Sequence, residues 1–236
     1  MAIDARDAAG FYATPLGRLT ADLLRKKLAA LWPDCHGLTV LGLGFTGPYL
    51  NLWQEQARCV AVSPAAMGAA PWPAGCPSLS CIAEEDALPF ADLSIDRILL
   101  VHGLEHAGHV RRTLREAWRV LKDNGRLIVV AQNRRGMWAY MENTPFGHGQ
   151  PYSDMQLSRL LQSQFFHVEN RQEALFAPPF DWGVLRKSFH VLEAVGRTLA
   201  PQFAGLTIAQ AIKDVHGIIP ARPRRAGRRV LVDAGG

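Results

Sequence analysis

Seven residues, LTVLGLG from Leu38 to Gly44, constrain this chain more than any other feature. The run has no charge and no apolar-polar alternation, so a strand built from it has no side that faces water. Such a strand is stable only when packing elements cover both faces of its sheet, the arrangement of an α/β domain. The run then continues through Phe45, Thr46 and Gly47 toward a predicted helix. Glycines in a strand-to-helix turn let the backbone approach a ligand closely, and the helix start that follows offers free N–H groups.

Three similar runs follow. ARCVAV (57–62) ends at Ser63-Pro64, DRILLVHG spans 96–103 and GRLIVVAQN spans 125–133. The first two strands with a helix between them make a βαβ unit. VRRTLREAWRVLK predicts an amphipathic helix with Leu114, Ala117, Trp118 and Leu121 on one side, stopped by Lys122-Asp123-Asn124-Gly125. Upstream, residues from about Ala5 to Leu31 read as helix, with Pro15 near a helix start and Pro33 beyond its end. MGAAPWPAGCP (67–77) reads as loop. Residues 134–152, rich in glycine, proline and aromatics, read as a lid or substrate loop. Ser153 is a good N-cap for the helix SDMQLSRLLQSQ. FFHVENRQEALF then reads as strand, DWGVLRKSFHVLEAVGRTLA as helix and GLTIAQAIKDVHG as a last strand. The expected architecture is a doubly wound, mostly parallel sheet with helices on both faces. Residues 1–217 form one domain in this reading, 1–33 being a helical N-terminal segment, and 218–236 a basic, mobile tail.

Composition removes several classes of function. No apolar run approaches the about 20 residues of a bilayer span, and the first residues lack the apolar core of a secretory signal, so the expected compartment is the cytoplasm. The net charge is +5, yet from Arg222 onward five arginines face one Asp, a local +4. The body is therefore nearly neutral, which argues against a nucleic-acid footprint on the folded domain. Cys35, Cys59, Cys76 and Cys81 form no CxxC pair and read as buried free thiols.

Taken alone, the glycine turn leaves three readings open. Gly42, Gly44 and Gly47 fit GxGxxG, which implies a nicotinamide dinucleotide; a nucleoside sulfonium cofactor uses the same turn; and a tight turn can simply pack helix on strand. The order of later segments separates them. After the turn come Glu84-Glu85-Asp86-Ala87-Leu88-Pro89-Phe90, then Asp92-Leu93-Ser94-Ile95-Asp96, then Val101 to His106, then Glu116 to Leu127. Together these resemble, in order and spacing, the segments of class I S-adenosylmethionine-dependent methyltransferases of the type 11 kind, over about residues 38 to 132.

The resemblance implies a seven-stranded Rossmann-like sheet, S-adenosylmethionine as cofactor and S-adenosylhomocysteine as product. It implies that Gly42, Gly44, Thr46 and Gly47 wrap the methionine part, that Ser63 stands where an acid grips the ribose, that Glu84, Glu85, Asp86 and Ala87 meet the adenine, and that His102 and Gly103 line the rim. Gly42 replaces the usual acid of the first motif, and Thr46 a glycine. Tyr12, His102 and His106 are candidate catalytic groups, while Asn133, Trp138, Tyr140, Phe146 and His148 are candidate acceptor-side residues. A metal site from His102, Glu105, His106 and His109 is set aside because that segment already has a family counterpart. The expected activity is methyl transfer to a small-molecule or protein acceptor. A non-catalytic subunit that keeps the fold is one alternative, and an NAD(P)-dependent oxidoreductase using the GLGFTG loop is another. A Gly44→Arg change is expected to block the turn without unfolding the chain. Nothing in the sequence specifies the acceptor or an oligomeric state.

Overall fold

A computed structural model describes residues 4–68, 70–73, 77–179, 188–199 and 201–215. The predicted basic tail, Cys76 and the start of the predicted 181–200 helix lie outside the described residues.

Seven strands form one sheet in the order β3-β2-β1-β4-β5-β7-β6. They are β1 (Thr39–Gly44), β2 (Arg58–Pro64), β3 (Ser80–Ala83), β4 (Ile95–Val101), β5 (Leu121–Gln132), β6 (Phe166–Ala174) and β7 (Leu206–Lys213). The first five pair in parallel, and β7 runs antiparallel between β5 and β6. The helices are α1 (Ala5–Ala13), α2 (Pro15–Leu31), α3 (Gly47–Leu50), α4 (Val110–Val120), α5 (Asp154–Ser163) and α6 (Phe189–Leu199). Among the described residues, no helix is long and apolar enough to cross a membrane.

Strand alternation divides the core in two. Val40, Leu99, Val101, Ile128, Val130 and Ile208 point to the face covered by α1, α2 and α3, with Phe189 of α6 in the same cluster. Leu41, Leu43, Ile98, Leu100, Leu127 and Val129 point to the other face, against α4 and α5. Each such buried aliphatic side chain contributes about 1.5–3 kcal/mol, so the uninterrupted apolar runs are what two covered faces require.

Four local expectations need correction. The 5–31 helix is two helices, because Thr14 takes an extended conformation that ends α1, and its hydroxyl then accepts from Gly17 N to cap α2. The helix after the glycine turn is only four residues long. Lys122–Gly125 does not stop α4; the chain passes directly from Val120 into β5, whose Leu121 pairs with Ile95. Cys81 is exposed on β3 rather than buried, while Cys35 and Cys59 are buried free thiols. Ser153 caps α5 in a full capping box with Gln156, as the sequence suggests.

On α4 the arginines point outward and one of them organises a wall. Arg119 donates to the carbonyls of Leu88 and Phe90 and to the carboxylates of Asp92 and Glu116. The loop between β3 and β4 is thereby tied to α4 without any strand pairing.

Candidate functional site

In a sheet of this order, the sequence of strands reverses between the parallel neighbours β1 and β4, and open α/β sheets bind ligands at the carboxyl ends of the strands at such a switch point. Here the two strand ends are stitched closely. Gly44 has φ +94, and a Cβ on it would run into the Val101 carbonyl. The next amide, Phe45 N, donates to that same carbonyl at 2.9 Å, so it is not free for a ligand. Beyond β4, His102 takes φ 54, a left-handed conformation uncommon for a side chain with a Cβ.

The sequence departures in the turn compensate one another. A Cβ at Gly42 would collide with the Thr46 hydroxyl and come within 2.7 Å of Leu50 Cδ1. Thr46 and Leu50 therefore occupy the space where an acid at 42 would begin, and the buried Thr46 hydroxyl has no hydrogen-bond partner. Gly47 is covered by Trp72, whose indole carbon would lie 3.2 Å from a Cβ there and whose Nε1 donates to Asn51.

Aromatic side chains fill the crevice itself. Tyr12, from α1, stacks on Phe45 with ring centres 5.6 Å apart and meets Tyr49 edge-on at 5.9 Å. The Tyr49 hydroxyl donates to Tyr12 Oη at 2.7 Å, and Tyr12 Oη lies 2.8 Å from His102 Nε2. Phe146 closes the far side, 4.6 Å from the His102 ring. Burial holds the His102 pKa down near 3, with His106 adding to the effect, so the ring is neutral and can accept the Tyr12 proton. Burial also raises the pKa of Tyr12 well above its ordinary value, which keeps that proton in place.

Next to this cluster lies the wall expected to receive a nucleoside. Pro64, Ala66, Met67, Glu85, Gly103, His106 and Ala107 enclose a cleft of about 10 Å³, room for about one water. Ser63 is buried at the end of β2. Of the three consecutive acids, Glu85 accepts from Gly108 N at 3.1 Å and Asp86 pairs with Arg112 at 3.7 Å, while Glu84 is exposed. Ala87 N turns back on the Glu84 carbonyl. His106 is half-buried between this cleft and a second, polar one of about 430 Å³ bounded by Glu105, Gly149 and Gln150. Neither ring nitrogen of His106 has a partner, and burial lowers its pKa to about 4. Glu105 Oε1 accepts from Gln132 N, Oε2 is unpartnered, and burial raises that carboxyl to about 7.

The structure thus brings Tyr12, His102 and Phe146 into contact and sets His106 beside them, with the glycine turn beneath. It separates Asn133, which lines an open pocket by β6 and α5 with Arg135, Ser153 and Glu173. Trp138 is buried and bonded to the Ala177 carbonyl, and Tyr140 is 73% exposed. His148 holds the Glu142 carbonyl. Sequence reasoning missed Phe45, Tyr49 and Met67. Phe45 carried a signal, since a large ring inside a glycine turn must be placed somewhere, but the partners of the other two are set only by tertiary contact. Among the described residues, no three His, Cys, Asp or Glu side chains gather to hold a metal ion.

The architecture and the glycine turn define a class I methyltransferase fold. Residues 40–129 match the family model for a methyltransferase domain. That segment runs from β1 through most of β5, and over it the chain is similar to methyltransferase domains. Among solved structures, an S-adenosylmethionine-dependent methyltransferase from Thermotoga maritima, described as a possible histamine N-methyltransferase, is 17% identical with TM-score 0.58, covering 84% of this chain and 91% of that one. The methyltransferase in a complex with the Trm112 activator from Haloferax volcanii is 16% identical with TM-score 0.59, covering 88% and 97%. An S-adenosylmethionine-dependent methyltransferase from Mesorhizobium loti is 16% identical with TM-score 0.57, covering 80% and 96%. No curated protein matches the chain.

In the conformation described, the switch-point crevice does not fit this cofactor. Ligand pockets of drug size run from roughly 300 Å³ upward, the adjoining cleft offers about 10 Å³, and Tyr12 and Phe45 stand at the β1–β4 rim.

Proposed function

We propose that this chain moves a methyl group from S-adenosylmethionine to a small-molecule or protein acceptor. What supports the reading is the coincidence of the matched segment, residues 40–129, with the elements that build the rim: β1 and its turn, the end of β2, the 84–90 wall and the residues after β4. The methyl of a sulfonium is already activated, so positioning carries most of the catalysis. On the chain's own side, His106 is the group suited to take a proton from an acceptor hydroxyl or amine. It stands where the nucleoside wall meets a polar cleft, and both its ring nitrogens are buried without a hydrogen-bond partner. In the same proposal, Gly44, Gly103 and the 84–87 turn would form the cofactor side once the crevice is open, while Ser63 would make a single neutral hydrogen bond in place of a charge-assisted pair, a difference of about 1–3 kcal/mol.

Calorimetric titration with S-adenosylhomocysteine and with NAD(H) tests this assignment. Saturable binding of the first and none of the second is expected. Binding of NAD(H) alone would move the turn to the oxidoreductase reading, and binding of neither, by the native chain and by a folded Tyr12→Ala variant alike, would remove the enzyme assignment. A second reading has its own support: the absence of acids at Gly42 and Ser63, together with the filled crevice, favours a non-catalytic subunit that keeps the fold.

A further inference from the structure

The N-terminal helix α1 places one side chain, Tyr12, inside the crevice at the β1–β4 rim. α1 has nine residues, below the length at which a helix is stable in water without tertiary support, so its order depends on docking. Its attachments to the sheet are few and specific. Ala5 N donates to the Met67 carbonyl at 2.9 Å, Phe11 meets Phe146 edge-on at 6.0 Å, and Tyr12 makes the stacking and hydrogen bonds in the crevice. At its other end α1 joins α2 through one extended residue, Thr14, capped on both sides, with Gly17 of α2 close against the Phe11 carbonyl and Arg18 donating to the Ala13 carbonyl at 2.9 Å. On the solvent side, beside the Phe11–Phe146 contact, α1 and the 142–148 loop line an open cleft of about 540 Å³.

We propose that α1 is a plug: Tyr12 fills the β1–β4 crevice in the resting protein, and the amino-acid end of S-adenosylmethionine enters only when α1 swings outward about Thr14. The proposal rests on the cofactor assignment above. It follows from the geometry rather than from any one residue type, because the same side chain bridges the residue inside the glycine turn, Phe45, and the first residue beyond β4, His102. Those two positions bound the crevice, and no ligand can lie between them while Tyr12 does. Affinity for a ligand that binds only the open state is reduced by the fraction of molecules that are open. Removing the plug should therefore tighten binding even though a polar contact is lost.

The test is titration of the full chain with S-adenosylhomocysteine, comparing the native protein with Tyr12→Ala and Tyr12→Phe. Thermal melts serve as the folding control, and hydrogen exchange is followed at the amides of residues 6–13. The plug predicts at least tenfold tighter binding for Tyr12→Ala and a smaller gain for Tyr12→Phe, which keeps the ring but loses both hydroxyl contacts. In the native protein, the amides of α1 should exchange faster once the ligand is bound. Weaker binding by Tyr12→Ala would make Tyr12 a ligand of the cofactor and overturn the plug while leaving the cofactor assignment standing. Equal binding in all three proteins, with unchanged exchange of α1, would overturn it in the same way. Folded proteins of which none binds, Tyr12→Ala included, would overturn the cofactor assignment and the plug with it.

Discussion

The carboxyl rim of the sheet has two very different stretches. Between β1 and β4 the strand ends are zipped by Phe45 N to Val101 O, the glycine turn is packed from above by Tyr12 and Trp72, and the adjoining cleft has about 10 Å³. Past β5, by contrast, Asn133, Arg135, Ser153, Asp154, Met155, Glu173 and Gln202 line an open, polar pocket of about 560 Å³. The glycine motif lies in the closed stretch and the free volume in the other. A glycine pattern reports how closely backbone can approach, and the neighbour that approaches can be protein.

The sharpest way to break this contrast is at Gly44. A side chain there combines φ +94 with a collision against the Val101 carbonyl. Gly44→Ala is expected to cost on the order of 3 kcal/mol, read as a lower melting temperature, and Gly44→Arg to unfold the domain. That reverses the expectation that arginine would block the turn and spare the fold. If both variants melted like the native chain, the tight stitching of β1 to β4 would be wrong.

Acid should also find the closed stretch. His102 has its pKa held near 3, below the unfolded value near 6.5, so the unfolded chain binds more protons between those values. Stability is full above about pH 6.5 and falls as pH drops toward 3, by on the order of 5 kcal/mol from this group alone. In urea melts across that range, His102→Gln should flatten the slope. An unchanged slope would place the acid sensitivity elsewhere.

Glu105 acts with the opposite sign. Its carboxyl is raised to about 7, so the native state holds the extra proton between about pH 4.5 and 7, and stability falls as pH rises through that window by on the order of 3 kcal/mol. Glu105→Gln should gain stability relative to the native chain at pH 8 and match it at pH 4.5. A gain of equal size at both pH values would point to packing rather than charge.

Smallest of all is the effect expected in the open stretch. Met155 is 60% exposed, and Met155→Ala should shift stability by less than about 0.5 kcal/mol and leave S-adenosylhomocysteine binding unchanged. A large loss of binding would relocate the ligand to that pocket.

Much of this architecture is legible in the chain because four of its five parallel strands carry an unbroken apolar run, VLGLG in β1, CVAV in β2, ILLV in β4 and LIVVA in β5, and burial on both faces is what writes such runs. The fifth, β3, escapes notice: it sits at the sheet edge, and Cys81 and Ile82 face solvent. The break at Thr14 is equally quiet, since the leucine period runs on through α2 and the polar residue that interrupts the helix costs nothing in pattern. At the candidate site, the glycines, the acidic turn and the residues after β4 stand out in the sequence by their spacing. The Tyr12–His102 contact spans ninety positions and has no local signature.

Arg119 gives the segmental resemblance itself a mechanical meaning. One guanidinium fastens the Leu88-Pro89-Phe90 stretch to α4, so each of the two stretches anchors the other in space. A descendant could trade away every group that touches a nucleoside and still be obliged to keep both, much as a door frame outlasts its lock.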